Sequence, residues 1–129
     1  MDYQNNFASL NVLIIKNFTT DLKNFIEHLK KLGIGKIEIL FTKSEAINSI
    51  RTSLPRIVFL DVMIQENALD EIIGEIYKQD RDRTQSIIIA VYKNELQLNY
   101  DEDQEFKAQD YIDFPFTLEK VKECIEHWQ

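Results

Sequence analysis

The sequence is poor in residues that break a chain: it has three glycines and two prolines in 129 residues, and no Gly/Ser-rich or low-complexity stretch. No linker or domain boundary is expected, so residues 1–129 read as a single domain, with 1–9 as an N-terminal extension. One cysteine, Cys124, excludes an internal disulfide and a cysteine-based zinc site, which fits a reducing compartment. No window approaches the roughly 18 uncharged apolar residues of a membrane span. The opening residues MDYQNNFASL lack the basic-then-apolar pattern of an export signal. A cytoplasmic location, with no membrane contact, is the expectation. Positive charge is also scarce, since 15 Lys+Arg face 22 Asp+Glu and leave a net charge of −7. That balance opposes contact with nucleic-acid phosphates and points to a protein or a small ligand as partner. Five of the seven net negative charges lie between Asp101 and Asp113.

What is present is an alternation of two patterns. Short runs rich in Ile and Val read as strands: Asn11 to Ile15, Lys36 to Phe41, Arg56 to Leu60, Ile87 to Tyr92 and Tyr111 to Asp113. Three of them are apolar at nearly every residue, as in strands covered on both faces. Between them run helical periods. Leu22, Phe25, Ile26, Leu29 and Leu32 share a stripe that Gly33 ends, and Thr42 with Glu45 has capping-box spacing before a helix that Pro55 stops. Leu69, Ile72, Ile73, Ile76 and Tyr77 mark a third helix, and Thr117 opens a last one whose stripe is Leu118, Val121, Cys124, Ile125 and Trp128. Strands alternating with helices imply right-handed crossovers and an α/β, doubly wound parallel sheet of about five strands with helices on both faces. Ligands of such sheets bind at the carboxyl ends of the strands.

Those ends are Lys16-Asn17, Asp61, Val91-Tyr92 and Phe114-Pro115-Phe116. The blocks VLIIKNFTTDLKNFIEHLKKLGI, PRIVFLDVMI, SIIIAVY and DYIDFPFTLEKV, in that order, resemble the response-regulator receiver domain of two-component signalling, from about Leu10 to the C-terminus. The resemblance implies the flavodoxin-like strand order 2-1-3-4-5, and it places Asp61 where a histidine kinase phosphorylates the family's aspartate. It also implies a magnesium ion held by an acid pair after strand one, a Ser or Thr after strand four, and a Lys before the last proline. These groups neutralise and grip the transferring phosphoryl group.

This chain departs at each supporting position. Lys16-Asn17 stands for the acid pair, Val91 for the hydroxyl, Tyr92 for the small residue after it, and Phe114 for the lysine. The loop after Asp61, from Met63 onward, lacks the usual proline and glycine. Asn17 and Asp61 are weak candidates for a metal, and Lys16 would repel one, so magnesium is disfavoured and no cofactor is expected. A Lys16–Asp61 ion pair is expected instead, since opposite charges about 4 Å apart gain roughly 4 kcal/mol at an effective dielectric near 20. Val91 and Phe114 are expected to make the pocket drier. The resemblance assigns Tyr111 as the switch aromatic, here crowded by Tyr92 and held in one rotamer, and it implies a cis Phe114-Pro115 bond.

His28 and His127 lie off the apolar stripes and read as solvated, and Cys124 reads as a buried small hydrophobe. The acidic segment 95–109 replaces the family's fourth helix. Residues 95–113 and the last helix form the expected output face, which would choose a basic protein surface, with a histidine kinase among the candidates. The reading is a non-enzymatic, atypical receiver acting by protein contact, with Asp61 poorly or not phosphorylated. One alternative is a phosphorylation-competent response regulator. The other is a ligand- or nucleotide-binding flavodoxin-like protein, which the absence of a Gly-rich phosphate loop at NFTTD disfavours.

Overall fold

Apolar residues at alternate positions of β1 (Asn11–Ile15) face two separate cores, and this division organises the molecule. The structure is a computed structural model that describes residues 7–79, 86–92 and 108–129. Four further strands are β2 (Lys36–Leu40), β3 (Ile57–Asp61), β4 (Ile87–Tyr92) and β5 (Asp110–Asp113). The helices of the described residues are α1 (Lys23–Lys31), α2 (Lys43–Ser53), α3 (Glu66–Gln79) and α4 (Leu118–Trp128). All strand pairs are parallel and the order is β2-β1-β3-β4-β5, as expected from the sequence.

Val12, Ile14, Ile57, Phe59, Ile87, Ile89 and Val91 point to one face, where Phe25 and Leu29 of α1 and Val121 and Ile125 of α4 cover them. Leu13, Ile15, Val58, Leu60 and Ile88 point to the other, under Ala46 and Ile50 of α2 and Leu69, Ile72 and Ile76 of α3. Each such side chain removed from water contributes about 1.5–3 kcal/mol. Phe7, inside the expected N-terminal extension, is also in the first core, and its carbonyl accepts from the N–H groups of Leu10 and Gly35. Gly35 faces the Ala8 carbonyl so closely that any side chain would collide with it.

Boundaries differ from expectation by single residues. β2 ends at Leu40, whose carbonyl accepts from Lys16 N–H, so Phe41 leaves the ladder. β3 runs one residue further and includes Asp61, which pairs with Val91 of β4. Thr42 caps α2 by accepting from Glu45 N–H at 3.2 Å, and Thr117 caps α4 by accepting from Lys120 N–H at 3.1 Å. α2 ends on Leu54 at φ 47, a left-handed position, just before Pro55. Helices α2 and α3 are tied by Arg51, whose Nε and Nη2 each lie 3.1 Å from a Glu75 oxygen. No helix among the described residues is long and apolar enough to cross a membrane.

Candidate functional site

Asp61 ends β3 in the middle of the sheet and is 1% exposed. Burying an ionised carboxylate is costly unless its oxygens find donors. Here the main chain supplies them: Asn17 N–H donates to Oδ2 at 2.9 Å and Met63 N–H to Oδ1 at 2.9 Å. The turn after Asp61 closes with Ile64 N–H on the Asp61 carbonyl and Val62 N–H on the Val91 carbonyl.

Asn17 is the most connected residue of the group. Its Oδ1 accepts from Thr19 N–H at 3.1 Å and from Thr19 Oγ1 at 3.0 Å, while its Nδ2 donates to the Met63 carbonyl at 3.4 Å. Its own carbonyl accepts from Thr20 N–H at 3.0 Å.

Lys16 is buried, yet it makes no ion pair with Asp61, contrary to expectation. Its Nζ donates to the Asn17 carbonyl at 2.9 Å and sits 5.1 Å from the centre of the Phe41 ring, a cation–π contact. Each Asp61 oxygen has a backbone N–H donor, and the ammonium lies instead toward the end of β2. Phe41 in turn carries Phe18 edge-on at 5.6 Å, and Phe18 is 79% exposed.

Val91 packs in the core beside Asp61. Tyr92, Tyr111 and Phe114 gather at the ends of β4 and β5. Tyr92 is buried and meets Tyr111 edge-to-face at 5.9 Å, while Tyr111 itself is exposed. Phe114 does not dry the pocket as expected: it is half exposed and its edge contact is with Phe116 at 6.3 Å. Its N–H is tied to the Tyr92 carbonyl at 2.9 Å, and the Phe114-Pro115 bond is cis. Met63 joins the site through its backbone, since its side chain is exposed.

Three contributors were not singled out from the sequence. Thr19 orients Asn17, and the signal for it was present in the N-x-T spacing, which favours a local side-chain turn. Phe41 receives Lys16. Lys120 of α4 reaches back to the end of β5, where its Nζ donates to the Asp113 carbonyl at 2.8 Å and lies 3.2 Å from Asp113 Oδ1. No local spacing rule reveals that contact.

The acidic output segment lies mostly outside the described residues, which resume at 108. The two acids of its described end are tied to α4. Asp110 Oδ2 accepts from Trp128 Nε1 at 2.7 Å, and Asp113 pairs with Lys120. Cys124, half-buried between these elements, has its thiol pushed up to about 12 by burial and by the charge of Asp110. His127 is exposed, as expected, but His28 is half-buried, and its Nδ1 is buried without a hydrogen-bond partner.

No family model and no curated protein matches the chain. Solved structures do. The receiver domain of a Pseudomonas aeruginosa sensor histidine kinase, with magnesium coordinated in its active-site cleft, superposes at a TM-score of 0.75 with 19% identity, covering 94% of this chain and 98% of that one. The fold is that of a receiver domain. The chemotaxis response regulator CheY4 of Vibrio cholerae gives 0.72 at 14% identity, covering 94% of this chain and 99% of that chain. The receiver domain of the Saccharomyces cerevisiae response regulator Ssk1, in co-crystal with the histidine phosphotransfer protein Ypd1, gives 0.67 at 20% identity, covering 95% and 90%.

The receiver fold raises the question of magnesium, and the residues present do not fit it. Magnesium needs near-octahedral oxygen ligation. Here both Asp61 oxygens, Asn17 Oδ1 and the Met63 carbonyl are engaged by donors, with a lysine ammonium on the next residue. No group of three or more His, Cys, Asp and Glu suited to a metal occurs among the described residues.

Proposed function

We propose that this chain is a two-component signalling module of receiver type that works by protein contact, with Asp61 poorly or not phosphorylated. The observation that carries the reading is the state of Asp61: it ends β3, the place the resemblance gives to a phosphoacceptor, and backbone N–H groups hold both its oxygens. Phosphoryl transfer to a carboxylate depends on positive groups that neutralise the charge developing on the phosphoryl oxygens. Lys16 is turned to Phe41, Val91 has no hydroxyl, and Phe114 has no charge.

The partner is a protein with a basic surface, met through residues 95–113 and α4 in the cytoplasm. A histidine kinase or phosphotransfer protein is the first candidate, because a receiver of the same fold is known in co-crystal with a phosphotransfer protein. Asp110 and Asp113 are tied to Trp128 and Lys120 of α4, and the sequence carries four more acids, Asp101, Glu102, Asp103 and Glu105, just before them. Neither catalysis nor nucleic-acid binding forms part of the reading.

A second reading, a working response regulator, is favoured by the position of Asp61 at the carboxyl end of β3. Amide NMR with beryllofluoride and magnesium separates the two. The first reading expects no shifts around Asp61 and Tyr111, whereas shifts centred on both would establish the second.

A further inference from the structure

We infer that Asn17 does in this pocket the cross-linking that a divalent cation would do, so that the loops after β1 and β3 are joined without metal. The inference rests on the reading of the chain as a receiver-type module and concerns the chemistry of its pocket.

The side-chain amide bridges the two loops in a fixed sense. Its oxygen takes both donors of Thr19, and its nitrogen faces the Met63 carbonyl. Amide orientation follows from the surrounding donors and acceptors. A flipped Asn17 would set Nδ2 against the Thr19 N–H and Oδ1 against the Met63 carbonyl, opposing like with like at both ends. The amide therefore presents hydrogen, not oxygen, to the space between Met63 and Asp61. Meanwhile Asn17 N–H caps Asp61 Oδ2, so one residue satisfies the acid through its backbone and the carbonyl through its side chain.

A cation entering this space would have to displace the amide from Met63 and turn Asn17 Oδ1 away from two donors. It would gain two neutral oxygens, Asn17 Oδ1 and the Met63 carbonyl, and one carboxylate, a poor set for an ion that dehydrates reluctantly. Replacing Asn17 by Asp reverses the logic. The Met63 carbonyl would lose its donor, and a second carboxylate would face the same space as Asp61.

The test uses the whole chain and Mn2+ or Mg2+ alone, without a phosphodonor. In the wild-type protein, Mn2+ is expected to leave the amide signals of Asp61 and Met63 intact, and Mg2+ to leave the urea midpoint unchanged. In Asn17→Asp, Mn2+ is expected to broaden those two signals away, and Mg2+ to raise the midpoint. A Lys16→Met/Asn17→Asp double variant removes the neighbouring ammonium and guards against a site masked by its charge. Loss of the Asp61 and Met63 signals in the wild type would overturn the inference, as would the absence of any metal response in both variants. Modification of Asp61 by acetyl phosphate, measured separately, bears on the function reading alone, so either can fail without the other.

Discussion

Asn17 and Asp61 are joined across the first and third strands by the main chain: Asn17 N–H donates to Asp61 Oδ2 at 2.9 Å. With Met63 N–H on the other oxygen, each carboxylate oxygen has a main-chain donor from the adjoining loops. Charge-assisted bonds of this kind are about twice as strong as neutral ones, which offsets part of the cost of burying an acid that is 1% exposed.

Asp61→Asn should therefore destabilise the protein. An Asn side chain has one acceptor oxygen and brings an NH2 group against the second backbone N–H. The expected loss is about 1–3 kcal/mol, the cost of leaving a buried polar group unsatisfied. Urea unfolding at neutral pH measures it. A more stable variant would mean that Asp61 is held under electrostatic strain and that its two N–H partners do not offset its burial.

Lys16 and Asp61 should behave as independent residues. A double-mutant cycle with Lys16→Met and Asp61→Asn is expected to give a coupling energy below about 0.5 kcal/mol, the additive range. Coupling well above that would restore the ion pair, with the Lys16 ammonium drawn from Phe41 to Asp61.

The contrast between these two residues shows how far the sequence could be read. The sheet was legible because its central strands are apolar throughout, and Thr42 and Thr117 announce their helices by composition alone. The place of Asp61 followed from the end of β3. The direction of Lys16 did not follow, because beyond a strand's last ladder bond alternation no longer sets where a side chain points. A flexible ammonium then takes whichever acceptor is nearest, here the Asn17 carbonyl. Phe114 was expected to fill the pocket because it stands where the resemblance puts a lysine, yet its ring is half exposed. Lys120 meets Asp113 only because α4 folds back over β5, a tertiary fact without a local signal.

Arg51→Ala should lower the urea midpoint at neutral pH and lose its effect in acid. Hydrogen bonds from Arg51 and then from Gln79 hold the Glu75 carboxyl below its ordinary range. Stability from a depressed carboxyl is fully present above the unfolded value of about 4.3 and is lost as pH falls through the folded value. Wild-type and variant midpoints should converge through that window. A constant difference down to the lowest pH would assign the effect to packing of the Arg51 stem.

Cys124 should resist alkylation in the folded protein. Its thiol titrates near 12 because it is buried and faces the charge of Asp110, so almost none is thiolate at about pH 8. Iodoacetamide is expected to label it only after urea unfolding. Equal rates in both states would show that the packing of α4 does not shield the thiol from solvent.

On the proposed reading, Asp61 stands at an acceptor's position without the means to accept. Intact-mass measurement after incubation with acetyl phosphate and magnesium tests it most directly. The account predicts an unmodified mass. A gain of one phosphoryl group that disappears in Asp61→Asn would contradict it.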